Sequence, residues 1–125
     1  MNFDKVVSGF FIILAMTLNF GFFYGDVTDI TLHSKFELFA AIVVNLIATV
    51  LKLGDKTQMG SVLLATSLVA NIQLIAAATI WTMGVYVYTV DAALTSLIIS
   101  LSGGALAANI ISVILYVGDT LKSKR

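Results

Sequence analysis

GSVLLATSLVANIQLIAAATIWTMGVYVY (residues 60–88) and AALTSLIISLSGGALAANIISVILYV (residues 92–117), joined by Thr89-Val90-Asp91, make up nearly half of the chain without one Lys, Arg, Glu or His. Crossing the hydrocarbon core of a bilayer takes about 20 mostly apolar residues as a helix. Both runs exceed that length. Their apolar positions are continuous rather than alternating, which argues against a transmembrane β-barrel. Working outward, two more stretches repeat the pattern: VVSGFFIILAMTLNFGFFY at about 6–24 and FELFAAIVVNLIATVLKL at about 36–53. The fold class expected is all-α, an integral membrane bundle of four transmembrane helices forming a single domain over 1–125.

Composition agrees with that expectation. Hydrophobic residues are 59% and charged residues 11% of the 125, against about 25% charged in soluble domains. A soluble chain this small leaves roughly 40% of its unfolded surface exposed, too much for so apolar a sequence. Seven Lys+Arg balance seven Asp+Glu, so no basic excess points to nucleic acid. With no cysteine, disulfide frameworks and cysteine metal sites are excluded.

The ends of the runs carry local signals. Gly25-Asp26, Gly54-Asp55 and Gly118-Asp119 each follow an apolar run, and a glycine just past a helix takes the left-handed conformation that closes the last turn. Ser34 with Glu37 has the spacing of a capping box for the second helix. Asp55 or Thr57 is the expected N-cap of the third helix, and Asp91 of the fourth. Lys5, Lys52, Lys56, Lys122, Lys124 and Arg125 fall at the N-terminus, second loop and C-terminus, while Lys35 alone falls in the first loop. Such a bias places both termini in the cytoplasm, and Lys52 is expected to snorkel to the headgroups. Tyr24, Tyr86 and Tyr88 then sit at the outer interface and Tyr116 at the inner one.

Asn45–Asp55 (NLIATVLKLGD) is matched by Asn109–Asp119 (NIISVILYVGD) 64 residues further on. This raises the expectation of two parallel helical-hairpin repeats, with chance likeness of apolar helix ends as the alternative.

Few residues inside the runs have any chemistry. Asn19, Asn45, Asn71 and Asn109 place an amide in each helix, and Gln73 adds a fifth on the opposite side of the third helix from Asn71. A buried amide costs several kcal/mol unless hydrogen-bonded, so these groups either join helices or line a polar path. Ser96, Ser100, Gly104, Ala108 and Ser112 recur at every fourth position of the last helix, a small-residue ridge that permits close backbone approach. In an oligomer Asp26 or Asp29 could form an outer acidic ring attracting cations. Asp29, His33 and Glu37, four residues apart, are a weak metal candidate, which a helix cap at Ser34 would break. Apart from Glu37 at the very start of the second run, no carboxylate, histidine or arginine row lies within a run, which disfavours proton coupling and voltage sensing. Nothing pairs a nucleophile with the lone histidine, so no enzyme and no cofactor is expected.

The stretches NFGFFYGD, ELFAAIVVNLIATVLKLGD, LLATSLVANIQLIAA and LSGGALAANI resemble a family of small uncharacterised bacterial inner-membrane proteins. The resemblance implies a four-helix protein of the bacterial inner membrane and carries no activity or functional residue with it. The function expected is a homo-oligomeric membrane protein for passive passage of a cation or small solute, lined by the five amides. The alternative is a non-conducting accessory or assembly subunit of a larger membrane complex, docked through the small-residue ridge.

Overall fold

Three helix starts in this chain are set by single side chains. Ser34 Oγ accepts from the Glu37 N–H (3.2 Å) and starts a helix at Lys35; Thr57 Oγ1 accepts from the Gly60 N–H (3.0 Å) and starts one at Gln58. Asp91 Oδ1 accepts from the Leu94 N–H at 2.8 Å, ahead of a helix that begins at Ala92. These are the caps expected from sequence; the alternative cap Asp55 lies outside the described residues. The computed structural model describes residues 3–26, 29–54 and 57–123. Their elements are α1 (Phe3–Phe23), a 3-10 turn (Ile30–Leu32), α2 (Lys35–Lys52), α3 (Gln58–Tyr86) and α4 (Ala92–Ser123).

Three helices, α1, α3 and α4, are long and apolar enough to cross a membrane. α2 falls short of that measure because its 18 residues include Lys35, Glu37 and Lys52. At about 1.5 Å per residue it reaches about 27 Å, while α3 reaches about 43 Å.

The Gly-Asp signals divide. Gly25, just beyond α1, has φ +126°, and its position after the last turn matches the expectation. Gly54 does not take a positive φ; the turn after α2 is closed by the Leu53 N–H donating to Val50 O. Gly118 lies inside α4, which continues to Ser123. With no proline to stop it, the helix runs on through Asp119 and Lys122, so glycine alone was too weak a signal there.

Each helix packs on its two neighbours in the order α1, α2, α3, α4 and back to α1. At the terminal end, where α1 begins and α4 finishes, Lys5 pairs with Asp119 (3.8 Å) and the Tyr116 hydroxyl donates to Lys5 O. The far end carries the α1–α2 connection and the α3–α4 turn. Its core is apolar: Phe22, Leu38, Leu74, Trp81, Ile98 and Ile99 are all buried in one cluster, with the Phe22 and Trp81 rings 5.8 Å apart. Ile12, Ala15, Ala48 and Leu63 are buried nearer the terminal end, outside that cluster.

Candidate functional site

Between the apolar cluster and the terminal end, the bundle interior is polar. On α2, Asn45, Thr49 and Lys52 stand at i, i+4 and i+7, one face of a helix, and all three are buried. Asn45 Nδ2 donates to Ala41 O and Thr49 Oγ1 donates to Asn45 O, each at 2.8 Å. Across the α2–α3 contact, Asn71 Nδ2 donates to Thr49 Oγ1 (2.8 Å). That bond fixes the Asn71 amide and leaves its Oδ1 buried without a partner among the described residues. Lys52 is 6% exposed, and its Nζ is also buried without a hydrogen-bond partner among the described residues. The amine expected to snorkel outward is therefore held within the bundle, because it continues the polar face of α2 rather than the lipid face.

The α1–α4 contact is polar at the same depth but complete. With Nδ2 turned toward Ser102 O (3.2 Å), Asn19 Oδ1 accepts from Asn109 Nδ2 (3.1 Å) and from the Leu106 backbone N–H (2.9 Å). Asn19 is fully buried, and its amide spans a carbonyl and an N–H four residues apart on α4. Between α3 and α4, Thr66 and Ser112 share a hydroxyl contact, and Gln73 lies against Gly104 so closely that a Cβ there would fall on its amide. Asn71 and Gln73, on opposite sides of α3, thus serve α2 and α4 respectively.

All four asparagines expected to lie inside the bundle are buried, and Gln73 is half-buried. The small-residue ridge is not one contact. Ala108 and Ser112 are buried, Ser96 and Gly104 half-buried, and Ser100 exposed. A four-residue step advances about 400°, so such a row drifts by about 40° per step around the helix. Gly103, outside the ridge, faces α1 through the Phe23 ring.

The connection from α1 to α2 has its own order. His33 is buried, with Nδ1 2.6 Å from Phe22 O and Nε2 2.8 Å from Asp26 O. Phe22 O is one of the carbonyls left open at a helix C-terminus. Neither nitrogen faces outward as a metal ligand would. Asp29 Oδ1 accepts from the Thr31 N–H (3.0 Å) and hydroxyl (2.6 Å), capping the 3-10 turn. Glu37 lies against Gly21 on α1. Asp29, His33 and Glu37 therefore serve three different contacts; among the described residues no three His, Asp or Glu side chains converge as a metal site. Asp26 and Asp29 are exposed at the far end.

Thr49, Ser102 and the inward Lys52 were not anticipated. The i, i+4, i+7 spacing of Asn45, Thr49 and Lys52 was the available signal for two of them. Ser102 had none, since its carbonyl rather than its side chain meets Asn19.

The class defined so far is an all-α bundle with three membrane-length apolar helices and a polar interior at one end. The chain belongs to a family of unknown function, DUF6394, whose model matches residues 32–120, from the α1–α2 connection to the last turn of α4. No curated protein and no solved structure matches it.

Proposed function

We propose that this chain spans the bacterial inner membrane four times, with both termini cytoplasmic, and gives passive passage to an ion or small polar solute as a homo-oligomer. The observation that carries the reading is a pair of orphans in the half of the bundle toward the terminal end, Lys52 Nζ and Asn71 Oδ1, buried with no partner among the described residues. An apolar residue would serve packing better, since an unpaired buried polar group costs free energy. An ionisable residue kept inside a membrane bundle marks a functional site by default. Thr49, Asn45 and the Asn19–Asn109 pair continue the polarity upward from these orphans, until Phe22, Leu74 and Trp81 close the far end. The arrangement is that of a closed path.

Four spans, including α2, are supported by its length of about 27 Å against a core of about 30 Å. Lys5, Lys52 and Lys122 lie toward the terminal end and Lys35 toward the far end, which supports cytoplasmic termini; Lys56, Lys124 and Arg125 lie outside the described residues. Exposed Tyr24, Tyr86 and Tyr88 at the far end fit an outer aromatic belt. Asn45 and Asn109, equivalent in the 64-residue offset, are both buried, in keeping with a duplicated hairpin. In an oligomer Asp26 and Asp29 would gather around the outer mouth.

Flux into liposomes tests the function. Wild-type protein is expected to pass a small ion or solute faster than empty liposomes, and Lys52→Met to change the rate or the ion preferred. Wild-type flux equal to that of empty liposomes overturns the reading. The second reading, an accessory subunit of a larger membrane complex, is favoured by the completeness of the Asn19 network, whose amides act as interhelical glue. Its sign would be a defined partner retained in mild detergent and no flux.

A further inference from the structure

The unequal lengths of α2 and α3 leave a groove on the outside of the bundle. α2 begins at Lys35, and Trp81 to Tyr86 of α3 stand beside it. A cavity of about 230 Å³ opens between them, and a second of about 300 Å³ continues along the same two helices, sharing Ile42, Ala78 and Thr82 with the first.

The groove has a polar mouth and an apolar floor. Lys35 Nζ lies 6.0 Å from the centre of the Trp81 ring, and Tyr86 stands at the same rim. No carboxylate among the described residues pairs with Lys35; the ion pair of the described chain is at the terminal end, between Lys5 and Asp119. Further in, the walls include two threonines, yet both are spent on their own helix. Thr79 Oγ1 donates to Ile75 O and Thr82 Oγ1 to Ala78 O, each at 2.8 Å. Hydroxyls engaged in this way turn no unmet polarity toward the groove.

We propose that this groove holds one phospholipid, its phosphate on the Lys35 ammonium and one acyl chain along the α2–α3 seam. An ammonium is a point-charge partner for phosphate, and Trp and Tyr favour the headgroup level. The groove between α1 and α4 provides the contrast. It is lined by Val6, Ile13, Val113 and Val117 and has Lys5 at its edge, but there the cation is already neutralised by Asp119. Among the described residues, the α2–α3 groove combines a cation that no carboxylate pairs with and an apolar channel leading away from it. The inference rests on the membrane-spanning reading above and is independent of conduction.

The test is lipid retention by the whole protein, delipidated in mild detergent and titrated with phosphatidylglycerol, phosphatidylcholine or diacylglycerol of the same chains, with bound lipid counted by native mass spectrometry. One molecule of either phospholipid is expected to bind, and diacylglycerol about tenfold more weakly, as loss of one charge-assisted contact implies. Thr82→Phe, at an exposed position, fills the seam and is expected to abolish retention. Lys35→Glu is expected to weaken phospholipid binding about tenfold or more without affecting diacylglycerol. Val117→Phe, in the other groove, should leave retention unchanged. Equal binding of diacylglycerol and phospholipid, or retention indifferent to Thr82→Phe and Lys35→Glu, overturns the inference. Release of the protein from membranes by alkaline carbonate would overturn the membrane reading with it. Lipid bound at the groove without flux would remove only the conduction role.

Discussion

The two halves of the bundle interior are built from different chemistry. At the far end, Phe22, Leu38, Trp81, Ile98 and Ile99 meet in one apolar cluster, and the buried polar groups beside it, His33 and Thr95, spend their hydrogen bonds on backbone carbonyls. Toward the terminal end, Asn71, Thr49 and Lys52 occupy the equivalent place, and two of their polar atoms have no partner among the described residues. In a bilayer, apolar side chains gain nothing by leaving lipid for each other, so a packed apolar cluster holds by van der Waals fit. Buried amides hold by hydrogen bonds when complete and weaken the structure when they are not. The terminal end combines a complete network at α1–α4 with an incomplete one at α2–α3, and the incompleteness is what a structural role alone leaves unexplained.

Substitutions break that contrast in opposite directions. The largest effect is expected in the apolar half: Phe22→Ala removes a fully buried ring and should cost about 2–3 kcal/mol through the cavity it leaves, read as a lower midpoint in detergent unfolding. A loss below about 1 kcal/mol would mean that the far end packs no better than its surroundings. A smaller effect of the other sign is expected at the terminal end. Lys52→Met replaces an uncompensated amine by an apolar side chain of similar length and should raise stability by about 1–2 kcal/mol. A loss of that size would show that Lys52 has a partner in the folded protein and would remove the basis for reading it as an open site.

Much of the architecture was legible because hydropathy and capping are local properties. The apolar runs marked the four helices, and Ser34, Thr57 and Asp91 marked three of their starts. Helix ends were less legible: Gly25 ends a helix region while Gly118 sits inside one, since a glycine permits a turn without requiring it. Inward placement of the asparagines followed from the cost of leaving an amide in lipid. Which amide meets which helix did not follow, because Asn19 finds backbone groups of α4 that no side-chain pattern announces. Lys52 was misread by position alone, as a charge near a helix end; its spacing from Asn45 and Thr49 held the better clue. The order around His33 depends on carbonyls of Phe22 and Asp26, brought near only by the fold.

The account centres on a polar half that admits solute and an apolar half that excludes it. The chain has no cysteine, so single-cysteine variants need no background substitution. Thr49→Cys and Leu74→Cys, each in sealed vesicles, should be exposed from either side to a small charged thiol reagent. The account predicts modification of the Thr49→Cys variant from the cytoplasmic side only, and none of the Leu74→Cys variant from either side. Failure of the Thr49→Cys variant to react, or equal reaction of both, would contradict it.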